Sequence, residues 1–323
     1  MRSDTLNEEM NNTALRYRAF GDPSTTLCAE TTPLLPCAPG MLRVRMLLAP
    51  VNASDLIPIS GAYSHRITLP AIAGYEGVGV VCKTTPETAY LQGKRVLPLR
   101  GQGTWQQYVD CPAELAVPVP DDIDDALAAR AYINPLAAQM MLTHYPPQGQ
   151  HVIVTAAGSE CAGYLAQWAR QRGAKSVSGI YRSAVHASRL AASGVIPLPE
   201  TDSAAIRQAA AKAGVVYDAT GGELAEQLLQ ALPTHAQFIS YGLLSGQPFG
   251  IQRRLPVVHW FHIRNHLDSL SASAWQQTFS DIWARLRKKT PADVTLFPFA
   301  DWQQAIAFYH QPGRITKPLL SMR

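Results

Sequence analysis

The stretch HVIVTAAGSECAGYLAQWARQRG, residues 151–173, decides how this chain folds. Residues 151–155 form a short β-branched run and read as a buried strand. Residues 156–159 are small, as a tight strand-to-helix turn requires. From Ala162 onward Leu165, Trp168 and Ala169 recur at helical spacing, and Gly173 stands where a glycine closes a helix. Strand, small-residue turn and helix in that order make the first unit of a dinucleotide-binding fold. Its turn brings backbone N–H groups at a helix N-terminus to a pyrophosphate. The usual Gly-x-Gly-x-x-Gly is absent: Gly158 is followed by Ser159, Glu160 and Cys161, then by Ala162. An alanine serves in the last glycine's place, because that position needs only a small side chain. By itself this segment also fits any α/β strand–helix turn.

The rest of the chain separates the two readings. Residues 176–181 are a second strand-like run, ending in Arg182. Residues 215–222, VVYDATGG, are a third strand with a glycine turn, and 236–242, AQFISYG, are another. Alanine-rich helical stretches lie between them. Strands alternating with helices predict a parallel, doubly wound α/β sheet.

The 323 residues suffice for two domains with real cores. With 47% hydrophobic and 16% charged residues the chain is globular, not disordered. A formal charge of +4 makes no case for nucleic acid, and no apolar run is long enough to span a bilayer. The opening MRSDTLNEEMNN lacks the apolar core of a signal peptide. Cys28, Cys37, Cys82, Cys111 and Cys161 are scattered and odd in number, so neither a disulfide framework nor a metal knuckle is expected. A reduced, cytoplasmic protein is the simplest expectation.

Residues 1–13 read as a frayed tail. Residues 14–130 carry short strands punctuated by Pro and Gly, an irregular β domain with strands expected at 42–48, 77–82, 94–99 and 105–109. Residues 121–144 read as helical, interrupted at Asn134-Pro135. The dinucleotide-binding domain is expected over 131–268. A C-terminal segment, 269–323, then returns to the first domain, with helices at 273–288 and 302–309.

Several short pieces, in this order, carry a resemblance. They are Pro50-Val51-Asn52-Ala53-Ser54-Asp55, Gly61-Ala62-Tyr63, Leu69-Pro70, Gly74-Tyr75-Glu76-Gly77, Gly103-Thr104-Trp105, Asn134-Pro135, the turn at 156–162, Arg182, Tyr241-Gly242 and Lys317. Together the chain resembles the medium-chain dehydrogenase/reductase superfamily. Within it, the likeness is to the zinc-independent quinone oxidoreductases and NADPH-dependent 2-enoyl-thioester reductases. The resemblance implies a Rossmann parallel sheet plus an N-terminal, GroES-like irregular β domain. Zinc-dependent members are similar in outline, with Cys where Asn52 stands and His where Tyr75 stands. Zinc needs thiolate or imidazole ligands, so no metal is expected, and Glu76 is expected to be structural.

Arg182 ends the second strand of the dinucleotide unit, where an acidic residue usually holds the ribose 2′-OH of NAD. An arginine there accommodates a 2′-phosphate, Ser183 adds a hydrogen bond, and NADPH is favoured over NADH. The resemblance implies further cofactor contacts. Asn134 would approach the nicotinamide side; Gly158, Ser159, Cys161 and Ala162 would line the phosphate turn. Tyr241, Gly242 and Leu243 would cover the cofactor, and Lys317 matches a looser contact. Glu160 departs from the pattern, since a carboxylate beside a pyrophosphate must point away or oppose binding.

The resemblance also makes Tyr63 the candidate acid and Asn52 its companion in the catalytic set. Hydride would add to the β-carbon of an α,β-unsaturated thioester, and Tyr63 would protonate the α-carbon or organise a water that does. A quinone or small-enone reductase is the alternative within this fold, and a catalytically silent NADPH-binding protein the alternative outside enzymes. The substrate is a small molecule, free or carried on coenzyme A or a carrier protein. Arg253-Arg254 and the basic run 285–289 would suit its phosphates or an acidic carrier, although a solvated helix face explains them better. A homodimer is expected by analogy, through the strand after Tyr241 and the aromatic pair Trp260-Phe261.

Overall fold

The computed structural model describes residues 11–251, 256–288 and 292–323. Arg253, Arg254 and Lys289 therefore lie outside the described residues. The chain divides into two compact units. The first comprises residues up to Tyr132 together with Ser271–Gln311 and Thr316–Arg323; the second comprises Ile133–Leu270 and Pro312–Ile315.

The first unit opens with β1 (Asn11–Tyr17), the short helix α1 (Pro23–Thr26) and β2 (Cys28–Pro33). Asn11–Thr13, expected within the tail over 1–13, instead pair with Thr31–Pro33 of β2. Next come β3 (Met41–Pro50), α2 (Ala53–Ile59), β4 (Ala71–Ile72), β5 (Val78–Lys83) and β6 (Arg95–Leu97). Then β7 (Tyr108–Pro112), β8 (Val117–Pro118) and α3 (Asp125–Ala128) follow. The ten-residue β3 is the spine, since β5 flanks one edge while β7 covers the first half of the other. Buried Val44 and Met46 face the core, and Arg43 is held by Asp110 of β7 through a 2.7 Å ion pair. The strand expected at 105–109 starts later, at Tyr108. Trp105 is instead fully buried, its indole N–H donating to the Pro50 carbonyl at 3.1 Å.

The second unit begins with α4 (Ile133–His144). The helical break expected at Asn134-Pro135 falls earlier, between Ala129 and Tyr132, and Asn134-Pro135 open α4 instead. In a first turn the missing proline N–H leaves no hydrogen bond unmade. The sheet is built from β9 (His151–Val154), β10 (Ser176–Tyr181), β11 (Ile196–Pro199), β12 (Val215–Asp218), β13 (Gln237–Ser240) and β14 (Val257–Trp260). The helices are α5 (Glu160–Gln171), α6 (Ala187–Ala192), α7 (Ser203–Ala210), α8 (Gly222–Ala231) and α9 (Arg264–Leu267). Every pairing is parallel, in the order β11-β10-β9-β12-β13-β14. This is the doubly wound Rossmann order, whose direction reverses between β9 and β12. Ile153, Ile180, Val216 and Phe238 of the strands meet Ile206, Leu228 and Leu229 of the helices in one apolar core.

The chain then re-enters the first unit with α10 (Ala272–Leu286), β15 (Val294–Pro298), α11 (Trp302–Tyr309) and β16 (Lys317–Ser321). Trp275 of α10 donates its indole N–H to Leu115 at 2.9 Å and meets Tyr132 edge-on at 5.8 Å. β16 pairs with the second half of β3.

Gly74 sits at φ 89 against Trp105, and a Cβ there would lie 2.3 Å from the indole. Both the left-handed backbone and the clash penalise a side chain. Gly74→Ala is expected to lower unfolding free energy by about 3 kcal/mol, measured by denaturant titration.

Candidate active site

The dinucleotide turn follows β9. Ala156 takes a left-handed φ of 48, and Ser159 N–H donates back to the Ala156 carbonyl at 2.8 Å. Ser159 is the N-cap of α5, its hydroxyl accepting from Ala162 N–H at 3.3 Å. Gly158 is required sterically, because a Cβ there would lie 2.5 Å from the His186 ring. Ala162 is fully buried, the close-packed position that needs a small residue.

Past β10, Arg182 is exposed and Ser183 half-buried. Two arginines that sequence reading missed join them. Arg189 of α6 donates to the Gly158 carbonyl at 3.3 Å. Arg314 comes from the 312–315 excursion, where a Cβ on Gly313 would lie 2.9 Å from the Ser183 hydroxyl. Burial first, then the charges of Arg189 and Arg314, hold the His186 imidazole below its ordinary pKa. Arg189 lay within reach of inspection, seven residues after Arg182. Arg314 did not, since no local pattern joins it to a strand end more than a hundred residues earlier.

At the reversal point the Asp218 carboxylate accepts from Thr155 hydroxyl at 2.7 Å, Thr220 N–H at 3.0 Å and Gly221 N–H at 2.9 Å. Burial raises its pKa against these hydrogen bonds. Tyr241 follows β13, and among the described residues its buried hydroxyl meets no oxygen or nitrogen partner. Burial, then Cys161 and Asp218, push that phenol well above its ordinary range. Gly242 approaches Ala219 so closely that a Cβ would lie 3.0 Å from its carbonyl oxygen. Leu243, partly exposed, fills the space beside Gly221. Asn134 donates its amide to Glu160 at 3.2 Å, and Cys161 Sγ lies 3.9 Å from the Asn134 carbonyl. Close-packed glycines, a capped helix start, an orphaned buried hydroxyl and three arginines fit a phosphorylated dinucleotide. The Glu160 carboxylate at the same turn opposes it.

In the first unit a second polar cluster is buried. Asn52 is the N-cap of α2; its N–H donates to Asp55 at 2.8 Å and its side-chain amide to Glu76 at 2.7 Å. Tyr75 N–H donates to Asp55 at 3.0 Å, and Tyr132 N–H to Glu76 at 3.1 Å. Lys317 at the start of β16 donates to the side-chain amide oxygen of Asn52. Lys317, expected as a cofactor contact, thus stands with Asn52 in the first unit. Glu76 is buried and accepts from both Asn52 and Tyr132. Tyr63 lies beyond α2 on a turn at φ 65, with 41% of its surface exposed. Asn52 and Tyr75 do not suit zinc, and the described residues hold no cluster of three or more His, Cys, Asp or Glu placed for a metal.

The alcohol dehydrogenase GroES-like domain family matches residues 38–121. A Bacillus thuringiensis protein assigned as an NADPH:quinone reductase is 32% identical, with 97% of this chain and 99% of that one superposed at a TM-score of 0.89. The chain belongs to the medium-chain dehydrogenase/reductase superfamily. Within the superfamily, the human mitochondrial enoyl-[acyl-carrier-protein] reductase is 26% identical over 96% of this chain and 88% of its own. The rat protein of that name is 29% identical over the same shares. The Candida tropicalis 2-enoyl thioester reductase heterodimer shares the fold, with a TM-score of 0.80 at 20% identity over 97% of this chain and 100% of that one.

Burial pushes the Asp55 carboxyl up to about 7, although the Asn52 and Tyr75 N–H groups and the Lys317 ammonium pull it down. The folded chain therefore holds this proton more tightly than the unfolded chain. That stabilisation is full below about pH 4 and lost as pH rises towards about 7. The margin by which wild type exceeds Asp55→Asn in unfolding free energy is expected to narrow across that window. Denaturant titrations at stepped pH check it, and a constant margin contradicts it.

Proposed function

We propose that this chain, an NADPH-dependent oxidoreductase, reduces the C=C bond of an α,β-unsaturated thioester, with Tyr63 delivering the proton. The observation that carries the reading is a buried polar cluster, in which Asn52 and Tyr75 are poor zinc ligands, with a partly exposed phenol on the turn that follows α2. When bound, NADPH supplies hydride to the substrate's β-carbon. Arg182, Arg189, Arg314 and Ser183 would hold the 2′-phosphate, and the N-terminal turn of α5 would receive the pyrophosphate. Negative charge then gathers on the thioester oxygen, and Tyr63 O–H passes a proton to the α-carbon, directly or through a water. Asn52, fixed by Glu76 and Lys317, orients the polar surroundings of that step.

The enoyl-reductase names of relatives spanning 96% of the chain support the thioester reading. The quinone-reductase assignment at 32% identity favours a second reading, reduction of a quinone or small enone. The thioester is carried on coenzyme A or on a carrier protein. Homodimerisation falls to β14, which ends the sheet order and exposes Val257 and Trp260. A reducing cytoplasm fits five cysteines that form no disulfide. Among the described residues no helix is long and apolar enough to cross a membrane.

Two measurements test this. Tyr63→Phe is expected to slow crotonyl-thioester reduction by about 100-fold or more while leaving NADPH affinity unchanged. Full crotonyl-thioester activity in the variant removes Tyr63 from the proton step, and quinone turnover alone in wild type moves the assignment to the second reading. Arg182→Gln is expected to weaken NADPH binding about tenfold and leave NADH binding unchanged, read by nicotinamide fluorescence.

A further inference from the structure

We propose that Glu160 is a resident anion at the cofactor turn, held there by Asn134, which competes with the pyrophosphate of NADPH and limits how tightly the cofactor is kept. This rests on reading that turn as the NADPH site.

Glu160 is the first residue of the twelve-residue α5. The N–H groups of a helix's first turn and the positive end of its dipole are what receive a pyrophosphate. Here the Ser159 hydroxyl already occupies Ala162 N–H, and the Glu160 carboxylate adds a full negative charge to the same end. The helix dipole favours that charge, and Asn134 anchors it with a hydrogen bond to the ionised group. A second observation marks the place as one built for a ligand. The Tyr241 hydroxyl is buried beside the thiol of Cys161, the residue next to Glu160, and meets no oxygen or nitrogen partner among the described residues. A bound dinucleotide and the Glu160 carboxylate therefore contend for one positive helix end. Docking the pyrophosphate requires the carboxylate to leave Asn134, and that requirement is paid in affinity. The same contact returns when the cofactor departs, so it hastens release. It also makes Asn134, expected near the nicotinamide, answer to whether the turn is filled.

The test is equilibrium binding to the full chain, followed by nicotinamide fluorescence, with Glu160→Gln and Glu160→Ala beside wild type. Both variants are expected to bind NADPH about tenfold more tightly, with slower release. Adenosine 2′-monophosphate, which lacks the pyrophosphate, is expected to bind all three alike. Unchanged or weaker NADPH binding in both variants overturns the proposal. Equal tightening towards adenosine 2′-monophosphate also overturns it, because the effect would then belong to the general field. If wild type and variants alike fail to bind NADPH, the reading of the turn as a cofactor site falls as well.

Discussion

The Asp218 carboxylate is the constraint on which the dinucleotide unit depends. One buried side chain accepts from Thr155 at the end of β9 and from the two N–H groups after β12. Thr155 in turn accepts from Ala219 N–H at 2.9 Å. The two central strands are thereby tied together where the strand order reverses and the sheet opens. Without those acceptors, several buried N–H groups would be left unsatisfied, at about 1–3 kcal/mol each. The bond also sets the start of the Gly221-Gly222 turn, both of whose glycines take positive φ. The lie of Tyr241 follows, because its N–H donates to the Asp218 carbonyl at 2.8 Å.

The first unit solves a different problem. It buries two carboxylates and an ammonium together: Asp55, Glu76 and Lys317 are each at most 8% exposed. Charges in such surroundings are tolerated only when their hydrogen bonds are met. Asn52 meets them, giving its N–H to Asp55 and its amide N–H to Glu76 while accepting from Lys317. A cysteine in that place would accept and donate too little to join these groups. Burial wins over the favourable contacts at Asp55, whose carboxyl is left titrating near neutrality.

The parallel sheet and its helices were legible in the sequence because their signal is local. β-branched runs at 151–154, 176–181 and 215–218 mark buried strands, and Leu165, Trp168 and Ala169 mark the inner face of α5. The positions of Gly158 and Ala162 could also be read, since each needs only that a side chain be absent or small. Edges and breaks were harder. The strand expected at Trp105 starts at Tyr108, and the helix break expected at Asn134-Pro135 lies before Ile133, because tertiary packing and not propensity sets those limits.

The site shows the same division. By itself the sequence determined the Rossmann unit, the poor zinc ligands and an arginine at the end of the second strand. Tertiary structure alone decided that Arg314 and Gly313 come back beside Ser183, that Lys317 joins Asn52 and Glu76, and that Glu160 is held by Asn134. Periodicity and turn chemistry report on residues a few positions apart. Contacts such as Lys317 to Asn52 join groups 265 positions apart, and no local pattern encodes them until the chain closes on itself.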